Sequence, residues 1–235
     1  MTPAPQLSIG ELFGSMRRAL LEQRVLLIRV TVLFAALSGL ASAIELAGTF
    51  GTAISIGIQL LFSVSYSGLV AVLICLPGRA EGVGDLWSET TPVLARLIWI
   101  RLLSAIGIAA GLFLLIVPGL ILMTIWAVAF QVVAVERTGV LPGLTRSREL
   151  VRGNGWRVFA FILLLGLVTA TVALLAMLVA LPLGTGVLGG AVAVFLIGLA
   201  AAPLAAVGPA VLYGHLTGEG ARPPSPEDTD PYAPQ

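Results

Sequence analysis

The chain has 235 residues, of which 58% are hydrophobic and 11% are charged, and its formal net charge is only +1. This balance leaves too little polar surface to cover a water-soluble globule of that size, so it excludes a soluble domain and indicates an integral membrane protein. The single cysteine, Cys75, excludes an internal disulfide, and the single histidine, His215, leaves almost nothing for metal binding or acid–base catalysis near neutral pH.

Six apolar runs are long enough to cross a bilayer, which takes about 20 helical residues. The run at 97–135 is about twice that length, and the sequence Val-Pro-Gly-Leu at 117–120 divides it, because proline ends a helix and glycine permits a turn. Amides in hydrocarbon must bond internally, so the runs are predicted to be helices. The predicted fold is all-α, a polytopic six-transmembrane-helix protein built as three hairpins. The spans are predicted at about residues 25–44, 53–76, 97–117, 120–135, 158–181 and 187–213.

These spans lie in a single predicted transmembrane domain, residues 8–216, between a disordered N-terminus at 1–7 and a disordered, proline-rich acidic tail at 217–235. All thirteen basic residues are arginine. They cluster before span one, in the second-to-third and fourth-to-fifth connections, and after span six, whereas the other three connections contain none. Basic residues near span ends remain cytoplasmic, so the pattern predicts a cytoplasmic-membrane protein with both termini in the cytoplasm.

The N-terminus permits a competing interpretation, because Ala41-Ser42-Ala43 resembles a signal-peptide cleavage site. Arg29 interrupts the apolar segment before that site, and removal of span one would spoil the alternation of arginine-rich and arginine-free connections. The sequence therefore favours a retained first span.

A short amphipathic segment precedes each predicted hairpin. Ser8 and Glu11 form a capping box in the first, which carries Phe13 among its apolar residues. These segments are predicted to be interfacial helices on the cytoplasmic side, where arginine meets anionic headgroups and Phe13 reaches the acyl boundary. The pattern indicates three copies of one unit, although the third copy fits a generic basic, amphipathic connection equally well.

The stretch VPGLILMTIWAVAFQVVAVERTGVLPGLTRSRELVRGNGWRVF, residues 117–159, resembles the glycerophosphoryl diester phosphodiesterase membrane-domain family and related uncharacterised bacterial multi-pass proteins. The sequence departs from the family at Gln131, where a proline is common, and at Gly214 and His215, where an acidic–basic pair is common. The positions that carry the resemblance are Pro118, Gly119, Glu136, Ser147, Arg152, Gly153 and Trp156.

The resemblance implies a membrane domain that accompanies a soluble phosphodiesterase domain in some relatives. Residues 217–235 are too short and polar to form such a domain. Hydrolysis also requires convergent titratable groups, which the spans lack. We therefore expect no enzymatic activity, no catalytic or metal-binding residues and no cofactor.

Some polar residues within the spans are candidate sites. Glu136 ends a predicted span, where a carboxylate opposes the helix dipole, and a structural ion pair with Arg101 or Arg29 would compensate it. Both arginines could instead extend to the headgroups. A polar stripe on span two is either an intramembrane binding site or a set of helix–helix hydrogen bonds; its residues are Gln59, Ser63, Tyr66 and Ser67.

Two function classes follow from these features. The first is a non-enzymatic scaffold or accessory protein that contacts anionic membrane lipids and assembles with itself or with a protein partner, but not with nucleic acid. The alternative is a small transporter or channel for a solute or lipid. A hydrated cavity lined by Gln59 and Tyr66 would favour the transporter, and a packed interior would favour the scaffold.

Overall fold

The computed structural model describes residues 8–42, 48–76, 82–184 and 186–218. Residues 1–7 and 219–235, which carry most of the predicted disorder, lie outside the described residues. So does Ala43, the last residue of the candidate cleavage site.

The described residues form eleven α-helices. Ser8 caps the first of them, because its side-chain oxygen accepts a hydrogen bond of 3.2 Å from the backbone N–H of Glu11. The helices are α1 (Ile9–Glu22), α2 (Arg24–Ser42), α3 (Gly48–Cys75), α4 (Val83–Thr90), α5 (Leu94–Leu114), α6 (Ile116–Ile125), α7 (Ala129–Glu136), α8 (Val140–Val151), α9 (Gly155–Ala180), α10 (Val187–Ala200) and α11 (Ala202–Thr217).

Six segments of the described chain are long and apolar enough to cross a membrane: 24–42, 54–75, 83–114, 117–136, 155–183 and 187–217. Large apolar side chains on these segments face outward, the most exposed being Phe113 at 93%. Such an apolar exterior is costly in water and favourable against lipid tails. The predicted all-α, six-span fold is confirmed.

Consecutive spans pack against each other as three hairpins, α2 with α3, α5 with α6, and α9 with α10. The first and third hairpins also meet, because α2 packs along α10 and α3 along α11. Small residues allow this approach. A side chain on Gly39 would meet the backbone oxygen of Ala191 at 3.0 Å, and one on Gly198 would meet Ala35.

The turn of the second hairpin lies earlier than predicted. Leu115 is extended between α5 and α6, whereas Pro118 and Gly119 belong to the first turns of α6. Proline is tolerated there because the first amides of a helix have no intrahelical partner. Gly119 serves close packing instead of chain reversal, since a Cβ on it would lie 2.6 Å from the backbone nitrogen of Leu112.

The short helices α1, α4 and α8 bury their apolar faces against the bundle. Leu12 on α1, Leu86 on α4 and Ser147 on α8 are completely inaccessible. Phe13, which is predicted to reach the acyl boundary, is half-buried, and its ring is tilted against that of Phe161 with 5.4 Å between the centroids. The apolar stripe of α1 therefore covers a protein surface in α11 and α9, and contact of Phe13 with lipid stays a prediction.

Contacts between these elements define one end of the bundle, here named the arginine-rich end. Ser15 on α1 lies 3.4 Å from the ring of His215 near the end of α11. Arg137, after α7, forms an ion pair with Glu89 on α4. Tyr213 near the end of α11 donates a hydrogen bond to Glu136, the last residue of α7, which also pairs with Arg146 on α8. Helices α1, α4 and α8 therefore lie at the end of the bundle where α7 and α11 finish.

Besides the third span, in which α4 precedes α5, two of the six spans consist of two helices. The fourth is interrupted at residues 126–128, between α6 and α7. The sixth is interrupted only by Ala201, between α10 and α11, which keeps helical φ and ψ and whose amide still bonds to the oxygen of Ile197. Pro203 follows the second interruption and marks it in the sequence. The first has neither proline nor glycine, so nothing in the local sequence predicted it.

Candidate functional site

A half-open cavity of about 590 Å³, here named the central cavity, lies among the spans. This volume lies within the range of about 300–1,000 Å³ that is typical of small-molecule sites. Both interrupted spans border it, through Trp126 and Ala127 on one side and Ala202 on the other. The polar or charged residues that line it are Thr31, Ser38, Gln59, Ser63, Tyr66, Ser67, Arg101, Ser104 and Gln131.

The structure brings the whole predicted polar stripe of span two to this cavity, because Gln59, Ser63, Tyr66 and Ser67 all line it. Tyr66 is also hydrogen-bonded to the neighbouring helix, with 2.9 Å between its hydroxyl and that of Thr31. One stripe therefore supplies both a helix–helix bond and part of a cavity wall.

Gln131 on α7 has an unpartnered buried oxygen. Its side chain is 4% exposed, it lines the central cavity, and its Oε1 has no hydrogen-bond partner among the described residues. Leaving such a group unsatisfied costs about 1–3 kcal/mol. Its polarity inside an apolar run is visible in the sequence, but neither that polarity nor its departure from the family pattern predicted a place in a cavity.

Arg101 on α5 also lines the central cavity. Its guanidinium carbon lies 5.9 Å from the centroid of the Phe130 ring, which is a cation–π distance. Within the described part of the chain no carboxylate lies within 4.0 Å of this guanidinium, and the predicted pair with Glu136 does not form.

Glu136 has different partners from those predicted. It accepts a hydrogen bond of 3.0 Å from the hydroxyl of Tyr213 and lies 3.6 Å from Nε of Arg146. The described residues show no ion pair between Glu136 and Arg29 either. The predicted pairs considered only arginines on the spans, whereas α8 packs along α7 and brings its own arginine to the carboxylate.

Helix α8 is joined to the interruption in the fourth span. The Ser147 hydroxyl donates a 2.8 Å hydrogen bond to the backbone oxygen of Ile125. In a continuous helix that oxygen would accept from the amide of Ala129, but this amide bonds to the oxygen of Trp126 instead. Ser147 therefore satisfies a carbonyl that the interruption has freed.

The seven motif positions do not form one cluster. Pro118 and Gly119 lie at the start of α6, Glu136 ends α7, and Ser147 lies on the buried face of α8. Arg152 caps the end of α8, Gly153 takes a positive φ of 93° in the turn that follows, and Trp156 lies in the first turn of α9. Most of the motif thus shapes the connection between the fourth and fifth spans.

A second depression of about 790 Å³ lies between α6, α8 and α9 and is here named the lateral groove. Arg148, Arg152 and Trp156 border it, and Ile121 and Phe159 contribute apolar walls. Trp156 is 79% exposed. Among the described residues neither Arg148 nor Arg152 has a carboxylate within 4.0 Å, and Glu149, which also borders the groove, pairs with Arg146.

No cluster of three or more histidine, cysteine or acidic side chains that could hold a metal occurs within the ranges the structure describes. The groups that line the central cavity are hydroxyls, amides and one guanidinium. This set can donate and accept hydrogen bonds and can hold an anion.

The chain is similar to a UPF0259 membrane protein of Pectobacterium carotovorum subsp. carotovorum (strain PC1), with 30% identity over 110 residues. This alignment covers 46% of the chain and 41% of that relative, so the chain matches less than half of the relative's length. No family model matches the chain, and no solved structure matches it. The similarity and the six apolar helices together show a multi-pass membrane protein.

Proposed function

We propose that the protein is a small transporter that binds its substrate in the central cavity. The observation that carries this proposal is the cavity itself, which lies at both helix interruptions and is lined by Gln59 and Tyr66. A scaffold, the first expectation from the sequence, requires only packed helices and gives no reason for such an interior.

Interrupted helices support transport in particular. In hydrocarbon, backbone outside a helix is tolerated where it is buried in protein or lines a cavity. Transporters place their substrate sites at such interruptions, where backbone groups and side chains can reach the substrate near the middle of the bilayer. Here the fourth span is interrupted at residues 126–128 and the sixth changes helix at Ala201, and residues at or beside both positions border the same cavity.

A comparison of neighbouring cysteines tests whether the cavity holds water. Ser104 lines the cavity, whereas Leu103 on the same helix is exposed and does not. Thiols react as thiolates, which form in water and not in lipid. In a Cys75→Ser background we expect Ser104→Cys to react with a small methanethiosulfonate reagent at least about tenfold faster than Leu103→Cys. Equal rates would show a closed, dry interior and support the scaffold instead.

We also propose that the protein is related to the glycerophosphoryl diester phosphodiesterase membrane-domain family, which the seven motif positions support. The proposed role involves no chemical reaction and no cofactor. Transport requires a site and a change of access, both of which helices and hydrogen-bonding side chains can supply.

The proposed location is the cytoplasmic membrane, with the arginine-rich end in the cytoplasm. This orientation is supported by the arginines of α1 and α8, which belong to helices at the end where α11 finishes. The external turns are correspondingly short and free of arginine.

Cysteine labelling tests this orientation. Gly139 and Gly186 form a matched pair, because each is exposed and each is the N-cap of a helix. In the Cys75→Ser background we expect Gly186→Cys to react with an impermeant maleimide on intact cells, and Gly139→Cys to react only after permeabilisation. The reverse pattern would invert the orientation.

Anionic lipid headgroups are the proposed partners at the arginine-rich end. The lateral groove offers two arginines without carboxylate partners above apolar walls, and an exposed tryptophan beside them. Tryptophan favours the headgroup level and arginine attracts anionic headgroups.

A further inference from the structure

We infer that the molecule held in the central cavity is an amphiphilic anion, with its carboxylate or phosphate head at Arg101 and Gln131 and its apolar chain along the remaining walls. This inference rests on the proposed function, because it names the class of substrate for the same cavity.

The charge of Arg101 is the first reason. This guanidinium lies within a membrane span and faces a cavity, and the described residues offer it an aromatic ring but no carboxylate. A cation within a span is costly unless it is paired, and residues of this kind mark substrate pathways. A planar guanidinium binds carboxylate and phosphate with two parallel hydrogen bonds, so an anion is the ligand that compensates it.

Gln131 is the second and independent reason. Its amide lines the same cavity, and its Oε1 is buried without a hydrogen-bond partner among the described residues. The amide nitrogen can donate to a carboxylate or phosphate oxygen, while the amide oxygen can accept from a hydroxyl group beside the anionic head or from a water molecule. The residue immediately before it, Phe130, contacts the Arg101 guanidinium through its ring, and Arg101 and Gln131 line the same cavity.

The rest of the wall is apolar and explains the chain of the amphiphile. Aromatic and aliphatic side chains cover most of it, and each methylene of an alkyl chain gains by leaving water for such a wall. Its apolar residues include Phe34, Phe62, Ile108, Met123, Trp126 and Ile197.

Trp126 provides a direct probe because it lines the cavity. We would retain it as the single tryptophan, with Trp87, Trp99 and Trp156 replaced by phenylalanine, in nanodiscs of phosphatidylcholine. Three probes with the same brominated chain quench its fluorescence on contact: 11-bromoundecanoate, 11-bromoundecanol and 11-bromoundecyl-trimethylammonium. We expect the ionised acid to quench at the lowest concentration.

Variants of Arg101 test the head. Arg101→Gln should raise the half-quenching concentration of the acid by about tenfold or more and leave that of the alcohol unchanged, and Arg101→Lys should restore part of the preference. A second protein that retains only Trp99, which is 63% exposed on the same helix, reports partition of the probes into the bilayer. Its quenching should not respond to Arg101→Gln.

The outcomes separate this inference from the function on which it rests. If acid and alcohol quench Trp126 equally, and Ser104→Phe abolishes both by filling the cavity, the cavity binds amphiphiles and the anionic head is wrong. If no probe quenches Trp126 more than Trp99, the result contradicts the proposal that the central cavity is a binding site. Nanodiscs with dibrominated phosphatidylglycerol identify the source of the anion: quenching of Trp126 that depends on Arg101 supports a lipid headgroup, whereas a response to the single-chain acid alone supports a free amphiphile.

Discussion

The substitution Gly119→Ala is expected to lower the free energy of unfolding by about 1–3 kcal/mol, the usual cost of overpacking. A methyl group at this position would lie 2.6 Å from the backbone nitrogen of Leu112 and 2.5 Å from its Cγ. The backbone cannot rotate away as a side-chain end can, so α5 and α6 must separate. Their separation would also disturb Trp126, which covers Gly107 on α5.

Gly166→Ala is the matched control for this experiment. Gly166 lies within α9 and is exposed, and a Cβ added to it would have no neighbour within 4 Å. Both substitutions gain the same intrinsic helix propensity of about 1 kcal/mol, so the difference between them isolates the clash. Reversible unfolding in detergent, or thermal denaturation followed by circular dichroism, measures it. Equal stability of the two variants would contradict the close approach of α5 and α6.

The substitution Ser147→Ala is expected to cost about 1–3 kcal/mol, because it leaves a buried carbonyl without a partner. Ser147 is completely inaccessible, and its hydroxyl is the group that satisfies the freed oxygen of Ile125. Loss of this bond also loosens α8 from the interruption at 126–128. We therefore expect the quenching of Trp126 fluorescence by soluble iodide to increase in this variant.

Thr145→Ala on the same helix controls for the loss of a hydroxyl. Thr145 is exposed, and its hydroxyl bonds at 3.2 Å to the oxygen of Leu141 within α8. That oxygen keeps its helical partner when the side chain is removed, so we expect a change of no more than about 0.5 kcal/mol. A similar loss in both variants would show that Ser147 acts through helix propensity and not through Ile125.

Much of the fold follows from apolar length and turn residues alone. The six spans arise because each run must satisfy its own amides in hydrocarbon, a constraint that acts on local sequence. The buried stripe of α8 could likewise be read from the spacing of Leu144, Ser147 and Val151. The turn near Pro118 was misplaced because proline is acceptable in the first turns of a helix as well as after its end.

The candidate site could be predicted only in part. Composition marked the stripe from Gln59 to Ser67, since polar groups are rare within spans. The central cavity, which this stripe lines, is formed by several spans that are distant in the sequence. A local sequence pattern does not predict how such spans pack around a cavity. The ion pair of Glu136 with Arg146 could not be predicted for the same reason, because it forms only when α8 packs along α7.

The interrupted turn between α6 and α7 belongs to two neighbourhoods at once. Trp126 and Ala127 face the central cavity, while Ile125 is held by α8, whose arginines border the lateral groove. A ligand that displaces this turn changes the binding free energy of both sites. Thermodynamic linkage makes the effect reciprocal: a headgroup bound in the lateral groove changes the affinity of the central cavity by the same factor as a ligand in the cavity changes the affinity of the groove.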